Sequence, residues 1–280
     1  MTGEAGNTAR KPRGNSASMP VVRDVVHPLH ATLSQRVIPS LLEQARREAP
    51  VPDDAMRDML LRHVLRGDRD GAVALVTRGV QAGMRPDALA DELLSPVAQS
   101  LGRGWEDDVC DFVAVTCGID MLETLQREIR QLVPPRLVAA KGERPSILLA
   151  SAPGEQHVFA LSLLKDRFER AGWEVARSVG SAAHALLAQV AARSYDVLGV
   201  SVATDRHISA LPTLVKSARR LSKNPRLRLI VGGAAILRHP EAGTRIGADA
   251  CALDAETALA EASRLLKETS MAVRGGKPAA

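Results

Sequence analysis

The sequence predicts an all-α bundle followed by a parallel, doubly wound α/β domain of five strands, a flavodoxin-like or Rossmann-like arrangement. Three observations predict it. From residue 34 to 132, apolar side chains recur at helical spacing and no Val/Ile-rich alternating run appears. From residue 146 onward, short continuous apolar runs alternate with helix-length segments, as strands buried on both faces do. Between the two patterns stand Val133-Pro134-Pro135, and neither proline can donate a backbone hydrogen bond. The divisions expected are a tail at 1–32, a bundle at 33–133, a linker at 134–144, an α/β domain at 145–269 and a second tail at 270–280.

The elements follow in order. A first helix opens near Leu33 or Ser34 and runs through Ile38, Leu41, Leu42 and Ala45. Asp53 can cap the next, which carries Met56, Met59, Leu60, His63 and Val64 to a stop at Gly67. Ala72 to Gln81 forms a third, with Gly83 just past its end. Pro86 suits a first-turn position and begins a fourth through Leu89, Leu93, Leu94, Val97 and Leu101. A break is expected from Gly102 to Asp108, then one long helix from Val109 to Leu132. In the second half the strands are Ser146–Ser151, Trp173–Ser178, Asp196–Val202, Leu227–Val231 and Ala248–Leu253. The helices between and after them are His157–Ala171, Ala182–Arg193, Ser209–Leu221, a shorter one after Gly233, and Ala255–Glu268, with fraying from Thr269. Right-handed crossovers turn five such units into an open sheet.

Composition narrows the function classes. The 280 residues are 45% hydrophobic and 2% aromatic, so each of the two tryptophans is informative. No run of eighteen apolar residues is present, which excludes a spanning helix and a membrane role. The polar start, Met1 to Met19, lacks the apolar stretch of a secretory signal. Cys110, Cys117 and Cys251 form no CxxC and fit a reduced, cytoplasmic setting. Seven residues apart, Cys110 and Cys117 share a face of the long helix, where core packing is the expected role. The net charge is +5, and the excess sits in the second half: residues 145–280 hold 18 Lys and Arg against 12 Asp and Glu. Arg219, Arg220, Lys223, Arg226 and Arg228 cluster in one turn, either as a solvated face or as a docking patch for a partner or DNA.

Ligands of open α/β sheets bind beyond the carboxyl ends of the strands, so the loops after strands one, three and four matter most. They read Ala152-Pro153-Gly154-Glu155-Gln156-His157, Ser201-Val202-Ala203-Thr204-Asp205, and Gly232-Gly233. Histidine is the commonest nitrogen ligand of a transition metal, and its second ring nitrogen needs an acceptor. Glu155, two residues before His157, can supply it. Adjacent glycines admit a bulky ligand close to the backbone, and Ser201 places a small hydroxyl where a larger group would fill the cavity.

On these residues the chain resembles the cobalamin-binding fold of B12-dependent methyltransferases, mutases and photoreceptors. The hallmark of that fold is Asp-x-His-x-x-Gly after strand one, Ser-x-Leu or Ser-x-Thr after strand three, and Gly-Gly after strand four. Here the counterparts are Glu155-Gln156-His157-Val158-Phe159-Ala160, Ser201-Val202-Ala203 and Gly232-Gly233, within about Pro145 to Glu268. The resemblance implies His157 as the lower cobalt ligand and Glu155 in the aspartate role. It implies that Ser201 and the glycines line a slot for the nucleotide tail, with Gln156, Val158, Ala203 and Thr204 also in contact. Glu stands for Asp and Ala160 for Gly, and the latter narrows the tail slot by a methyl.

The stretch Gly104-Trp105-Glu106-Asp107-Asp108, with Phe112, Val115-Thr116, Gly118 and Leu122, resembles the AerR/PpaA family, cobalamin-binding antirepressors that partner a CrtJ/PpsR-type repressor of photosynthesis genes. That likeness implies a non-enzymatic, light-responsive regulator, with at most weak or indirect DNA contact and the bundle as a cap. In it Trp105 covers the upper cofactor face; the alternative is a core anchor between two helices. B12 photoreceptors of the MerR type carry a His directly after the Trp and a Glu-His pair further on, where this chain has Glu106 and Val115-Thr116. Two rival readings stay open: a corrinoid methyl carrier of a methyltransferase system, and a heme sensor on the same fold. Asp107 and Asp108 are expected to serve the start of the long helix through its dipole. His207 is expected as a loop or first-turn residue, the alternative being a place at the corrin edge; His27, His30, His63, His184 and His239 have no partner motif, and none is singled out as an upper ligand.

Overall fold

The computed structural model describes residue 44 and residues 48–133, 144–155 and 159–275. The helix expected near Leu33 to Ala45, the 1–32 tail, most of the linker and residues 156–158 lie outside the described residues.

Helix α1 (Asp54–Leu65) opens where Asp53 accepts a hydrogen bond from Met56 N at 2.8 Å, the expected N-cap. Asp68 caps α2 (Arg69–Gln81) through Gly71 N at 2.9 Å and also binds His63 Nδ1 at 2.7 Å. Gly83, at φ +88°, takes the left-handed position after α2. Pro86 starts α3 (Pro86–Ala88), which continues through a π-helical turn (Leu89–Leu94) into α4 (Ser95–Glu106) with helical backbone at both joins.

The break expected from Gly102 therefore comes later. The helix holds through Trp105 and Glu106, and Asp108 closes it at φ +56°. Helix α5 (Phe112–Leu132) begins at Phe112 rather than Val109, because Asp111 is the cap, its carboxylate accepting from Ala114 N at 2.7 Å. Asp107 and Asp108 thus belong to the end of α4, not to the start of α5. The same shift takes Cys110 off the long helix, so the two cysteines share no helix face. Cys110 packs against Gly104, and Cys117 is exposed rather than in the core.

The second half alternates as read: β1 (Ser146–Ser151), α6 (Phe159–Arg170), β2 (Glu174–Ser178), α7 (Ala183–Ala192), β3 (Val197–Ser201), a 3₁₀ turn (Asp205–Ala210), α8 (Leu211–Leu221), β4 (Arg228–Gly232), α9 (Ala234–Arg238), α10 (Ala242–Ile246), β5 (Ala250–Ala252) and α11 (Ala255–Gly275). All neighbouring strands pair in parallel, in the order β2-β1-β3-β4-β5. The chain reverses direction across the sheet between β1 and β3, and a ligand crevice belongs there. The last helix runs on past Glu268 to Gly275.

The sheet alternation sorts the core into two layers. Leu148, Ala150, Leu198, Val200, Leu229 and Val231 face α7 and α8. Ile147, Leu149, Val197 and Ile230 face α6 and α11. The bundle core, built from residues such as Leu60, Val76, Leu94, Leu101 and Leu122, also takes in Phe159 and Leu163 of α6. Gln126 Nε2 donates to Ser162 O at 2.8 Å, Arg130 pairs with Asp166 at 2.9 Å, and Arg170 donates to Val133 O at 2.9 Å. Helix α6 is thus a shared wall between bundle and sheet.

At the amino ends of the strands the basic cluster is largely occupied. Arg219 and Arg228 both bind the Asp249 carboxylate, at 2.9 and 3.3 Å, and Lys223 donates to Ala192 O at 2.7 Å. These three residues tie the turn to the sheet. Among the described residues no helix is long and apolar enough to cross a membrane.

Candidate functional site

The carboxyl ends of the strands finish on a row of small residues. Ser151, Ser201, Gly232 and Ala252 stand in register across β1, β3, β4 and β5, and all four point to the α6/α11 face. One step back on that face lies Gly199, beside Leu149 and Ile230. A strand residue larger than glycine would project a side chain into the space above the sheet here. The result is a cleft of about 1000 Å³ between this face and the bundle, the upper end of the range for small-molecule sites. Its walls include Leu149, Gly199 and Ile230 of the sheet, Leu164 and Arg167 of α6, Ala258 of α11, and Trp105, Val115 and Ile119 of the bundle.

The two glycines after β4 have a local cause. A Cβ on Gly232 would come within 2.6 Å of Ala252 O, and Gly233, at φ +102°, would put one 2.6 Å from Val202 O. The close approach that needs them is to the protein's own backbone: Val202 N donates to Gly232 O at 2.8 Å and Ala235 N to Val202 O at 3.0 Å.

The loop after β1 begins as a turn with proline second and glycine third, the type II pattern. Glu155 N donates to Ala152 O at 2.9 Å, and Gly154 sits at φ +80°. The turn drives the Glu155 side chain inward, where the residue is fully buried. A buried carboxylate needs donors. Its Oε2 accepts from Thr204 N at 3.2 Å, from Thr204 Oγ1 at 3.1 Å and from His207 Nδ1 at 3.0 Å. The loops after β1 and β3 are therefore stitched together by one carboxylate. Gln156, His157 and Val158 lie outside the described residues.

Ser201, Ala203 and Thr204 line the cleft beside Gly232 and Gly233. Ala203 O and Asp205 are held by Arg238 Nη2, at 3.2 and 2.8 Å, and His239 Nε2 adds a second contact to Asp205 at 3.2 Å. Arg238 foremost, then His239, holds the Asp205 carboxyl below the usual range. The β3 loop is thereby pinned on both sides, to the β1 loop and to α9.

Trp105 is 49% exposed and meets Phe112 edge-on, with ring centroids 6.2 Å apart. It is a wall of the cleft mouth and not an anchor in the bundle core. Val109 and Val113 are exposed as well. Deeper in, Asp91 of the π-helical turn pairs with Arg167 of α6, whose guanidinium also lies 3.7 Å from Glu256. Burial pushes the Asp91 carboxyl up to about 6, outweighing the lowering by Arg167. His207 stands in a first turn after β3, as expected; sequence reasoning missed Asp91, Arg167 and the contact of His207 with Glu155. A short polar turn after a strand gave no sign of which side chain folds back, and a π turn has no periodic signature.

Residues 145–263 match the B12 binding domain family, and residues 56–115 match a second family of that description. The uncharacterized 20.5 kDa protein in the bchF-crtJ intergenic region of Rhodobacter capsulatus is 27% identical over 177 residues, 63% of this chain and 91% of that one. The structure of the Methanosarcina barkeri monomethylamine corrinoid protein superposes with a TM-score of 0.61 at 18% identity, covering 78% of this chain and all of its own. A cobalamin-binding protein from Desulfitobacterium hafniense DCB-2 gives a TM-score of 0.40 at 17% identity, over 74% of this chain and 96% of its own. The five-stranded parallel domain with its helical cap is thus the B12-binding architecture. The residues present fit such a group: the small-residue row leaves a slot along the sheet, and the cleft mouth is apolar and broad. Nothing in these likenesses points to heme.

Proposed function

We propose that this chain, whose helical and α/β halves both belong to B12-binding domain families, is a non-enzymatic cobalamin-dependent regulator that acts on a transcriptional repressor in response to light. The observation that carries the reading is the cleft itself, enclosed by the strand-end loops on one side and by the bundle lip at Trp105 on the other. The relative from the bchF-crtJ region supports a link to a CrtJ-type repressor. The likeness to a corrinoid protein is one of fold, and no feature of the site favours methyl transfer over regulation.

In this reading His157 is the lower cobalt ligand and Glu155 orients it, while Ser201, Ala203, Thr204, Gly232 and Gly233 border the tail slot together with Gln156 and Val158. Bound cobalamin would supply a light-labile or exchangeable upper ligand facing the bundle. Trp105, with Phe112 beside it, closes the cleft mouth against water. The bundle responds because its lip and its Asp91–Arg167 contact both border the cleft. A ligand moves such an equilibrium only through different affinities for the two poses.

The test compares binding of a purified CrtJ/PpsR-type repressor in darkness and after illumination, for wild type and His157→Ala loaded with adenosylcobalamin. The expected outcome is a light-dependent change in wild type that His157→Ala loses. Equal binding in all four conditions overturns the switch, and a colourless, folded wild type overturns cobalamin binding.

A further inference from the structure

We propose that Arg167 of α6 and Asp91 of the π-helical turn form an amide-reading subsite in the cleft, one that takes a neutral carboxamide on the rim of the bound cofactor and turns away a carboxylate in its place. This rests on the reading above for the occupant, cobalamin, whose ring edge carries acetamides and longer propionamides. The propionamide is the arm assigned to this wall.

Helical spacing brings the two residues to the cleft. Ala160, Leu164 and Arg167 stand at i, i+4 and i+7 of α6, which puts them on one helix face, and all three line the cleft. Seven residues of helix span about 10 Å, so Arg167 lies that far along the wall from Ala160. Asp91 lines the same space from the bundle. It sits in the wide turn Leu89–Leu94, upstream of Ser95 and Trp105, which line the cleft on the same continuous helix. Single π turns inside α-helices recur at functional sites. Glu256, in the first turn of α11, is the third neighbour.

The contacts leave this pair half used. Arg167 Nη1 donates to Asp91 Oδ2, while Nη2 lies 3.7 Å from Glu256 Oε2, outside hydrogen-bond reach. Nε is buried and meets no acceptor among the described residues. Nε and Nη2 form one edge of the planar guanidinium fork, so a whole donor edge stands without a partner. Asp91 Oδ1 likewise meets no donor among the described residues, since the contact with Arg167 uses Oδ2. A buried donor without an acceptor raises the free energy of the empty site, and a ligand oxygen that meets it recovers that cost. Nε is closed to water in this pose; a turn of the side chain toward the cleft presents it. A carbonyl oxygen for the open Arg167 edge and an N–H for Asp91 Oδ1 are the two ends of a primary amide.

Charge decides between an amide and an anion. The charged groups that act on the Asp91 carboxyl are Arg167, Asp87, Asp254 and Glu256. With Asp91 itself, four carboxyl groups share this corner with Arg167 and Arg85, and Arg85 is already paired with Asp87 at 3.1 Å. A phosphate or carboxylate meets that excess of negative charge at close range, whereas an amide carries no charge to be repelled.

The experiment titrates the full chain, followed by absorbance, with hydroxocobalamin, with its three propionamide-derived monocarboxylic acids and with aquocobinamide. Each acid replaces one ring-edge propionamide by a carboxylate; the cobinamide lacks the nucleotide tail and its phosphate. Hydrogen bonds to charged groups are worth about 10–100-fold in affinity. In wild type, one of the three acids should bind weaker than hydroxocobalamin by that factor and the other two like the parent. Asp91→Asn, which exchanges an acceptor for a group that also donates, should narrow the ratio. Arg167→Met should weaken hydroxocobalamin and aquocobinamide alike. Each ratio is taken within one protein, so a general loss of packing, tracked by apoprotein melting, cancels from it. Three acids that all bind like hydroxocobalamin, or a ratio unchanged in Asp91→Asn, overturn the subsite and leave the cofactor reading intact. An Arg167→Met loss that vanishes with aquocobinamide assigns Arg167 to the tail phosphate and overturns it as well. Wild type that takes up no corrinoid overturns both.

Discussion

The two readings of Trp105 differ in energy by an amount a melt can resolve. A tryptophan anchored in a core costs about 3–5 kcal/mol when cut to alanine, whereas a surface substitution stays within about 0.5 kcal/mol. At 49% exposure, with Phe112 as its ring contact, Trp105→Ala should shift the apoprotein urea midpoint little. With cobalamin loaded, the same variant should give an altered visible spectrum, because the cleft mouth then admits water. A large loss of apoprotein stability would return Trp105 to the bundle core. This residue was legible as special from composition alone, since a chain with so few aromatics seldom leaves one in the open. Glu155 was legible for a similar reason, as a carboxylate in a strand-end loop. His207 was not, because its partner is 52 positions away and only the fold of the β3 loop brings them together.

At the scale of elements, the π-helical turn couples the bundle to the sheet domain through Asp91. The Asp91 carboxyl is raised to about 6 from an unfolded value near 3.8, chiefly by burial. A carboxyl raised in the folded state binds its proton more tightly there than in the unfolded chain. Stability therefore gains as pH falls through the window from about 6 to about 4, and above 6 wild type carries the full cost of a buried charge. Arg167 offsets part of that cost, while Asp87, Asp254 and Glu256 add to it. Asn at position 91 has no proton to lose. The melting temperature of Asp91→Asn minus that of wild type should thus rise between pH 4 and pH 7, as measured by scanning calorimetry across that range. A difference that is flat or falls with pH would mean that Arg167, not burial, governs the site. Most element positions were legible from local signals such as Asp53, Pro86 and Gly83. The ends of α4 and α5 were not: a break was expected from Gly102 to Asp108, yet α4 runs on to Glu106, and Gly104 is where Cys110 Sγ packs, leaving room for nothing larger.

For the molecule as a whole, the decisive feature is that bundle and sheet share a core. Phe159 and Leu163 belong to the first crossover helix of the α/β half, yet they are buried among bundle residues, and Gln126, Arg130 and Arg170 add polar ties across the same boundary. The sequence pattern, which switches at Pro134-Pro135, reads as two independent domains, because hydrophobic periodicity reports that a helix has a buried face and not which neighbour covers it. Two consequences follow. The region from α1 to α11 should unfold in one calorimetric transition, its van't Hoff and calorimetric enthalpies agreeing. Phe159→Ala, which removes a buried ring from this shared wall, should cost about 3–5 kcal/mol and lower that single transition without splitting it. Two resolved transitions in wild type, or a Phe159→Ala loss confined to one half by hydrogen exchange, would show the halves to be energetically separate. In that case a change at the cofactor would have no stiff route to the bundle. With a shared wall, any shift of the bundle relative to the cleft must move α6 or repack it, and α6 begins at Phe159, two positions along the sequence from residue 157.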